Sequence, residues 1–239
     1  MSVITINNLN KSYKRNKALK DVSLSVEKGE LFGLLGVNGA GKTTLIKILC
    51  GLTKKQSGTV NVNGLDLDTD IEKIKEIIDV SPQETAVASN LTVIENLKFF
   101  ANIYGQSDQA TLDRIIRVFK LNDVLDQRAK TLSGGYKRRL SIAIALISKP
   151  QILFLDEPTL GLDVLARREL WKIIQSLKGK TTIILTSHYL EEIEHLCDRV
   201  AIMSRGVLID VGTIDYFKQK TQKDSFEDAF VELIGGKNE

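Results

Sequence analysis

Gly36-Val37-Asn38-Gly39-Ala40-Gly41-Lys42-Thr43, followed by Thr44, has the spacing of a P-loop, the phosphate-binding turn of many nucleotide-binding proteins. The apolar run Leu31–Leu35 precedes it, and the apolar segment Leu45–Leu49 follows it. This order of buried strand, glycine loop and helix is the context that the motif requires. The alternative, a glycine-rich turn that happens to precede a helix, is disfavoured because every fixed position is filled. The sequence therefore predicts a site for a nucleoside triphosphate.

The residue types of this loop suit a polyphosphate. Glycines allow consecutive backbone N–H groups to surround the anion without clashes from Cβ atoms. The helix that follows offers free N–H groups and the positive end of its dipole to the same anion. Lys42 is predicted to reach the β- and γ-phosphates, and the Thr43 hydroxyl is predicted to bind Mg²⁺.

The composition is ordinary for a globular protein and excludes several classes. The 239 residues suffice for one α/β domain or two small subdomains, and the apolar and charged fractions are 43% and 26%. A net charge of +3 does not indicate a nucleic-acid surface, and the cluster Lys137-Arg138-Arg139 is weak evidence for one. The chain begins without a signal-peptide pattern, and no segment approaches the roughly 20 apolar residues that cross a bilayer. Cys50 and Cys197 are isolated, so we expect a cytosolic chain unless a partner holds it at a membrane.

The pattern of apolar residues changes twice along the chain. Strand signals dominate up to residue 83, helical spacing without strand signals follows in residues 84–130, and strand and helix alternate from residue 151 onward. Between the first two strands, Val3–Ile6 and Val22–Val26, the segment Lys11–Lys14 is interpreted as a polar connection with one exposed aromatic residue, Tyr13. A helical subdomain inserted between strands is the simplest interpretation of this pattern.

Polar groups suited to phosphate chemistry follow four apolar strands. In a parallel α/β sheet, ligands bind outside the carboxyl ends of the strands. Any one of these groups could be an accidental loop residue, but together they describe one site. They are the P-loop after Leu31–Leu35, Gln83 after Ile77–Val80, Asp156 and Glu157 after Ile152–Leu155, and His188 after Ile183–Leu185.

The two adjacent carboxylates are predicted to divide the chemistry between them. Asp156 ends an apolar strand, as in a Walker B motif, and can hold Mg²⁺ against Thr43. Glu157 is then the candidate base that polarises water, and Pro158 is expected to restrict the backbone of Glu157 to an extended conformation. The alternative for this pair is a solvated acidic turn.

The interpretation of His188 and Gln83 rests on their positions after predicted strands. A lone histidine is more often a surface or core residue, but the strand before His188 would direct it to the γ-phosphate or the attacking water. Gln83 could bind the cation or orient water through its amide.

A second anion-binding feature lies in Leu132-Ser133-Gly134-Gly135 at the start of a predicted helix. Because it follows the helical insertion and not a sheet strand, we do not expect it to face the P-loop of its own chain. Two such helix ends pointing to different places suggest a nucleotide held between two molecules. The alternative is that Ser133 is an ordinary N-cap.

Taken in this order, the motifs resemble the ATP-binding subunits of ABC transporters over nearly the whole chain. Signature residue Tyr136 is commonly glutamine in that family, and Leu160-Gly161-Leu162 replaces the usual Ser-Ala-Leu before Asp163. Both departures are similar to the bacterial type 2 exporters. The resemblance also gives Tyr13 a role, since family members stack adenine on an aromatic residue there.

The resemblance implies an α/β fold with a P-loop NTPase core, a parallel central sheet, an N-terminal antiparallel β subdomain and an inserted α-helical subdomain. The implied division is a catalytic core with the β subdomain in residues 1–83 and 150–212, a helical signature subdomain in 84–149 and C-terminal helices in 213–239. It further implies ATP and Mg²⁺ as ligands, hydrolysis by Glu157 with His188, and a cation held by Thr43, Gln83 and Asp156. ATP contacts in one chain would come from Tyr13, Gly36, Val37, Asn38, Gly39, Ala40, Gly41, Lys42, Thr43, Thr44 and Gln83.

The implied assembly is a head-to-tail dimer, for which two identical chains suffice. Ser133, Gly134, Gly135 and Asp163 would contact the ATP that the other protomer binds. Transmembrane permease subunits would dock near residues 84–130, which implies a cytoplasmic protein peripheral to the inner face of the cell membrane, without a nucleic-acid partner. The alternative function is a soluble ABC ATPase that acts on ribosomes, nucleic acid or an assembly pathway.

Overall fold

Two β-sheets and nine α-helices make up the computed structural model, which describes residues 1–14 and 16–235. The strands are β1 Ser2–Tyr13, β2 Asn16–Glu27, β3 Leu31–Leu35, β4 Ser57–Val62, β5 Leu65–Asp66, β6 Ile78–Ser81, β7 Ile152–Asp156, β8 Thr182–Ser187, β9 Arg199–Ser204 and β10 Val207–Gly212. The helices are α1 Lys42–Leu49, α2 Ile71–Ile77, α3 Val93–Ile103, α4 Gln109–Val118, α5 Gly134–Ile147, α6 Val164–Leu177, α7 Leu190–Leu196, α8 Ile214–Thr221 and α9 Phe226–Gly235. The last four residues of the predicted C-terminal segment, 236–239, lie outside the described residues.

The central sheet has the order β10-β9-β3-β8-β7-β6, and every pair except the antiparallel β10–β9 is parallel. Strands β3 and β7 are buried along their whole length, as expected for a parallel sheet that is covered on both faces. Because β3, β6, β7 and β8 run in one direction, the loops that follow them emerge at the same edge. The predicted parallel core is confirmed.

Alternate residues of β3 pack into different apolar clusters. Leu31 and Leu35 join the cluster formed with the helical insertion, α6 and α7, whereas Phe32 and Leu34 join the cluster formed with α1 and the second sheet. The pleat of the strand requires this alternation, since successive side chains point to opposite faces. The central sheet therefore separates two cores and contributes side chains to both.

The second sheet is antiparallel, in the order β2-β1-β4-β5, and confirms the predicted N-terminal β subdomain. The expectation that Lys11–Lys14 forms a polar connection was wrong for residues 11–13, because β1 continues to Tyr13 and pairs Lys11 with Leu19. Pairing with β2 extends β1 through these residues although Lys11 and Ser12 are polar. Tyr13 consequently lies at a strand end and not in a loop.

Helices α3, α4 and α5 form the insertion that the sequence predicts between β6 and β7. The side chain of Asn96 is fully buried within it and bonds the backbone of Ala88, Leu91 and Thr92. The segment Leu121–Leu125, predicted as helical, contains a single 3₁₀ turn, Asn122–Val124. Among the described residues, none of the helices combines the length and the apolar character that crossing a bilayer requires.

Candidate nucleotide site

One open cleft of about 560 Å³ lies at the edge where β3, β6, β7 and β8 end. It brings the P-loop together with the polar groups that were predicted to follow the other strands. Its lining residues are Tyr13, Asn16, Ala18, Asn38, Gly39, Ala40, Gly41, Lys42, Thr43, Thr44, Gln83, Glu157, Leu160 and His188. Gly36 and Val37, also predicted to bind ATP, belong to the same loop but do not line the cleft.

The P-loop has the backbone conformation that its glycines allow. Gly39 and Gly41 have φ angles of 81° and 106°, and Gly41 is the N-cap of α1. A Cβ at Gly36 would come within 2.3 Å of the Met203 carbonyl oxygen, so a larger residue does not fit there. The loop therefore depends on glycine at its start and at its end.

Lys42 folds back over the loop. Its Nζ donates a hydrogen bond to the Gly36 carbonyl at 2.6 Å and lies 3.7 Å from Glu157 Oε1. The side chain is almost fully buried, and this burial lowers the pKa of Lys42 while the Glu157 carboxylate opposes the shift. The Lys42 ammonium group is thus held at the floor of the cleft by the Gly36 carbonyl and the more distant Glu157 carboxylate, which an anionic ligand can replace.

Thr43 and Asp156 lie close enough to share a cation. Thr43 Oγ1 donates to Asp156 Oδ1 at 3.3 Å, and Gln83 lines the same cleft. Hydroxyl, carboxylate and amide oxygens are hard ligands, and Mg²⁺ is usually held by one or two protein groups together with substrate phosphates. The described residues hold no cluster of three or more His, Cys, Asp or Glu that could bind a metal alone. This donor set fits Mg²⁺ bound together with a nucleotide.

Glu157 connects His188 and Lys42 within the site. Its Oε2 lies 2.6 Å from His188 Nδ1, and its Oε1 faces Lys42. The carboxylate is one-tenth exposed, whereas the imidazole is 30% exposed and opens to the cleft. The two groups that the sequence predicts for hydrolysis are therefore in direct contact.

The expectation of an extended backbone at Glu157 was wrong, because its φ angle is 48°. A left-handed conformation costs a non-glycine residue about 1–2 kcal/mol. Hydrogen bonds offset this cost: the Glu157 N–H donates to Thr186 Oγ1 at 2.9 Å, and the Glu157 carbonyl accepts from Arg138 at 2.7 Å. These partners are distant in sequence, so the local effect of Pro158 does not decide the conformation.

Tyr13 lies at the rim of the cleft and is 44% exposed. The Nζ of Lys11 lies 4.9 Å from the centre of its ring. The rest of the ring is free to contact a planar group, and Asn16 and Ala18 of β2 line the cleft beside it. This geometry suits a nucleobase at the open end of the cleft.

The predicted signature residues are outside the cleft that the P-loop lines. Ser133 is the N-cap of α5, since its Oγ accepts from Tyr136 N, and Asp163 caps α6 in the same way through Ala166 N. The two caps are neighbours, because a Cβ at Gly135 would lie 3.0 Å from the Cβ of Ala166. Ser133, Gly134 and Asp163 are exposed. The structure thus groups these residues on one surface, separate from the P-loop of the same chain.

Two positions of the site escaped the sequence reasoning. Thr186 is the penultimate residue of β8, and its hydroxyl donates to Asp156 Oδ1 at 2.6 Å while it accepts from Glu157 N. Arg138, assigned to a weak basic cluster, is 4% exposed and bonds the loops that carry Gln83 and Glu157. The signal for Arg138 was the apolar run Leu140–Ile147 behind it, since an arginine on a buried helix must find buried partners.

The chain resembles known proteins over most of its length. The family model described as "ABC transporter" matches residues 19–160. The chain is 39% identical over 242 residues to "Probable multidrug ABC transporter ATP-binding protein YbhF" of Escherichia coli, which covers 98% of the chain but only 42% of that relative. It is 40% identical over 210 residues to "Linearmycin resistance ATP-binding protein LnrL" of Bacillus subtilis, with 86% of the chain and 68% of the relative covered. A solved structure described as the ATP binding subunit of an ABC transporter matches with a TM-score of 0.85 at 30% identity, over 97% of the chain and 99% of its own length.

Proposed function

The chain belongs to the ABC transporter family, and from this premise we propose that it hydrolyses ATP to energise export through separate membrane-spanning subunits. The observation that carries the proposal is the position of Glu157. Its carboxylate contacts His188 and faces Lys42 at the floor of the cleft that the P-loop lines. A carboxylate that can orient water and a buried lysine beside the phosphate-binding loop are groups that phosphoryl transfer to water uses, and the imidazole adds a further hydrogen-bonding group.

We propose that ATP enters with its base at Tyr13 and its phosphates on the P-loop. Residues Gly36 to Gly41 would present backbone N–H groups to the phosphates, as would the first turn of α1 with Lys42, Thr43 and Thr44. Lys42 would exchange the Gly36 carbonyl for phosphate oxygens, because a charged acceptor forms a stronger hydrogen bond than a neutral one.

Hydrolysis needs a water molecule in line with the γ-phosphate and a group that accepts its proton. Glu157 would accept the hydrogen bond of that water, and His188 would donate to the γ-phosphate or orient the water. Thr43, Gln83 and Asp156 would hold Mg²⁺, which, when bound, neutralises charge on the β- and γ-phosphates. Most of the catalysis would come from positioning, so small displacements of Glu157 should affect turnover strongly.

We further propose that two copies of the chain act together. Ser133, Gly134, Gly135 and Asp163 group on a surface outside the P-loop cleft, which supports their contact with the ATP of a second copy. The membrane subunits would dock at the helical insertion, which would hold the chain at the cytoplasmic face of the membrane without a nucleic-acid partner. The names of the two relatives, for multidrug transport and linearmycin resistance, support a toxic compound as the exported substrate.

The test is Glu157→Gln. We expect the variant to bind a fluorescent ATP analogue like the wild type, because the P-loop is untouched, and to lose turnover by about 100-fold or more. Slow hydrolysis should also allow an ATP-stabilised dimer to accumulate, which light scattering after gel filtration would detect.

Glu191→Gln is the matched control. Glu191 lies on α7 close to the site, but its exposed carboxylate pairs with Arg167, so we expect turnover within twofold of the wild type. Retention of more than a tenth of wild-type turnover in Glu157→Gln would refute the assigned role of Glu157.

A further inference from the structure

Arg138 uses all five of its N–H donors on backbone carbonyl groups. It lies in the second turn of α5 and is almost completely buried. Its Nε donates to Pro158 O at 2.7 Å, its Nη1 to Pro82 O at 2.5 Å and Gln83 O at 3.2 Å, and its Nη2 to Asp156 O at 2.6 Å and Glu157 O at 2.7 Å. One guanidinium group therefore holds most of the backbone around the proposed catalytic carboxylate.

The five carbonyl groups belong to two loops that leave adjacent strands. Residues 82–83 follow β6 and residues 156–158 lie at the end of β7, and these strands are paired in parallel up to Ser81 and Leu155. Beyond that point no strand pairing joins the two loops, and Arg138 takes over the connection. Gln83 lies on one loop and Glu157 on the other, so the guanidinium group sets the separation of the two.

No other side chain could form this set of bonds. The planar guanidinium presents five donors in fixed directions, whereas a lysine ammonium has three and glutamine has two. Burial lowers the pKa of Arg138 to about 10, against the opposing effect of the carboxylates of Asp156, Glu192 and Glu157. The group stays charged at neutral pH, and a buried charge that keeps carbonyl partners is held in place strongly.

Arg138 also attaches these loops to helix α5. The helix begins at Gly134, and its N-cap Ser133 lies five residues before Arg138, which is less than one and a half turns. A rigid helix transmits a displacement of its N-terminus to its second turn. Any movement of Ser133 therefore carries the guanidinium group and, through it, both loops.

Resting on the function proposed above, we propose that Arg138 is a positioning residue that fixes Glu157 and Gln83 relative to each other and to helix α5. It holds the Glu157 carbonyl and so maintains the left-handed backbone from which the carboxylate reaches His188. The hydrogen bonds of Arg138 go to neither the P-loop nor Tyr13. Its loss should lower the rate of hydrolysis and leave ATP binding intact.

The experiment compares full-length Arg138→Gln, Arg138→Lys and Arg138→Ala with the wild type. We expect kcat to fall roughly 100-fold in Arg138→Gln, the effect of a displacement of about 1 Å in the reacting groups, while KM and the dissociation constant of a fluorescent ATP analogue stay within twofold. Arg138→Lys should keep more activity than Arg138→Gln, because it restores part of the hydrogen bonding. Methylguanidine should restore part of the turnover in Arg138→Ala, since it can occupy the vacated space.

Arg139→Gln is the matched control, because it removes a guanidinium group from the adjacent position of the same helix. Arg139 lies over the Tyr136 ring and pairs with Glu169, without a hydrogen bond to either loop. We expect its kcat to stay within twofold of the wild type.

Two results would overturn the positioning role. The first is a kcat of Arg138→Gln equal to that of the wild type. In that case the wild type still hydrolyses ATP, so the proposed function stands. The second is a parallel loss of ATP affinity and kcat without any rescue by methylguanidine, which is the behaviour of a residue needed only for folding. Absence of hydrolysis in the wild type would instead refute the proposed function itself.

Discussion

Gly206→Ala tests whether the turn between β9 and β10 supports the P-loop. Gly206 lies in the turn between β9 and β10, with a φ angle of 81°. Its N–H donates to the Ala40 carbonyl of the P-loop at 3.1 Å, and its carbonyl accepts from Lys20 N of β2 at 2.8 Å. One glycine therefore connects the phosphate-binding loop to the antiparallel sheet that carries Tyr13.

The cost of the substitution has two parts. A Cβ at this position would lie 2.7 Å from Ala18 O and 3.1 Å from Lys17 O, so the backbone must move apart. The left-handed conformation costs about 1–2 kcal/mol and the overpacking about 1–3 kcal/mol, which add to about 2–5 kcal/mol of unfolding free energy. Weakening the bond to Ala40 should also raise the dissociation constant of ATP by roughly fivefold, equivalent to about 1 kcal/mol.

Urea unfolding can be followed by the fluorescence of Trp171, the only tryptophan, which is buried. Gly64→Ala is the matched control, because Gly64 has a φ angle of 84° but a Cβ there would meet nothing within 4 Å. The control should lose only the conformational cost of about 1–2 kcal/mol and keep its ATP affinity. Equal losses of stability in the two variants, with ATP affinity unchanged in both, would refute the proposed support of the P-loop.

Two further substitutions separate binding from turnover. His188→Ala removes the imidazole that contacts Glu157, so we expect turnover to fall about 100-fold while the dissociation constant of ATP stays within twofold of the wild-type value. Single-turnover phosphate release measures the rate. A fall in ATP affinity without a fall in turnover would contradict the proposed role of His188. Tyr13→Ala removes the surface proposed for adenine, and stacking worth about 1–3 kcal/mol predicts at least fivefold weaker ATP binding with kcat unchanged at saturation. Titration with a fluorescent ATP analogue measures this affinity. The control, Tyr13→Phe, keeps the ring and should bind like the wild type. Unchanged affinity in Tyr13→Ala would exclude stacking of adenine on Tyr13.

Features with a local physical cause were predictable from the sequence. Leu31–Leu35 has the bounds of β3, because a strand buried on both faces is a continuous apolar run. Ser133 and Asp163 cap their helices, and such caps can be predicted locally because an N-cap depends on a side chain and the N–H groups two or three residues later. The convergence of Gln83, Glu157 and His188 followed from strand direction alone.

Features that depend on distant partners were not predictable. The polar residues Lys11 and Ser12 carry no strand signal, yet pairing with β2 extends β1 through them. The sequence before Pro158 favours an extended residue, yet hydrogen bonds from two other elements hold Glu157 in a left-handed conformation. In both cases the decisive energy comes from contacts between segments that sequence spacing does not reveal.

Side chains from two other elements fix the peptide between Asp156 and Glu157. Thr186 contacts Asp156, the last residue of β7, and Glu157, which follows it, with one hydroxyl that accepts from Glu157 N and donates to Asp156 Oδ1. Arg138 holds the carbonyl groups of the same two residues from the opposite side. The peptide that joins Asp156, the proposed ligand of Mg²⁺, to Glu157, the proposed catalytic residue, is thus fixed at both its donor and its acceptor. Because neither Thr186 nor Arg138 lines the cleft, we expect the rate of hydrolysis to depend on residues outside the proposed contacts with ATP.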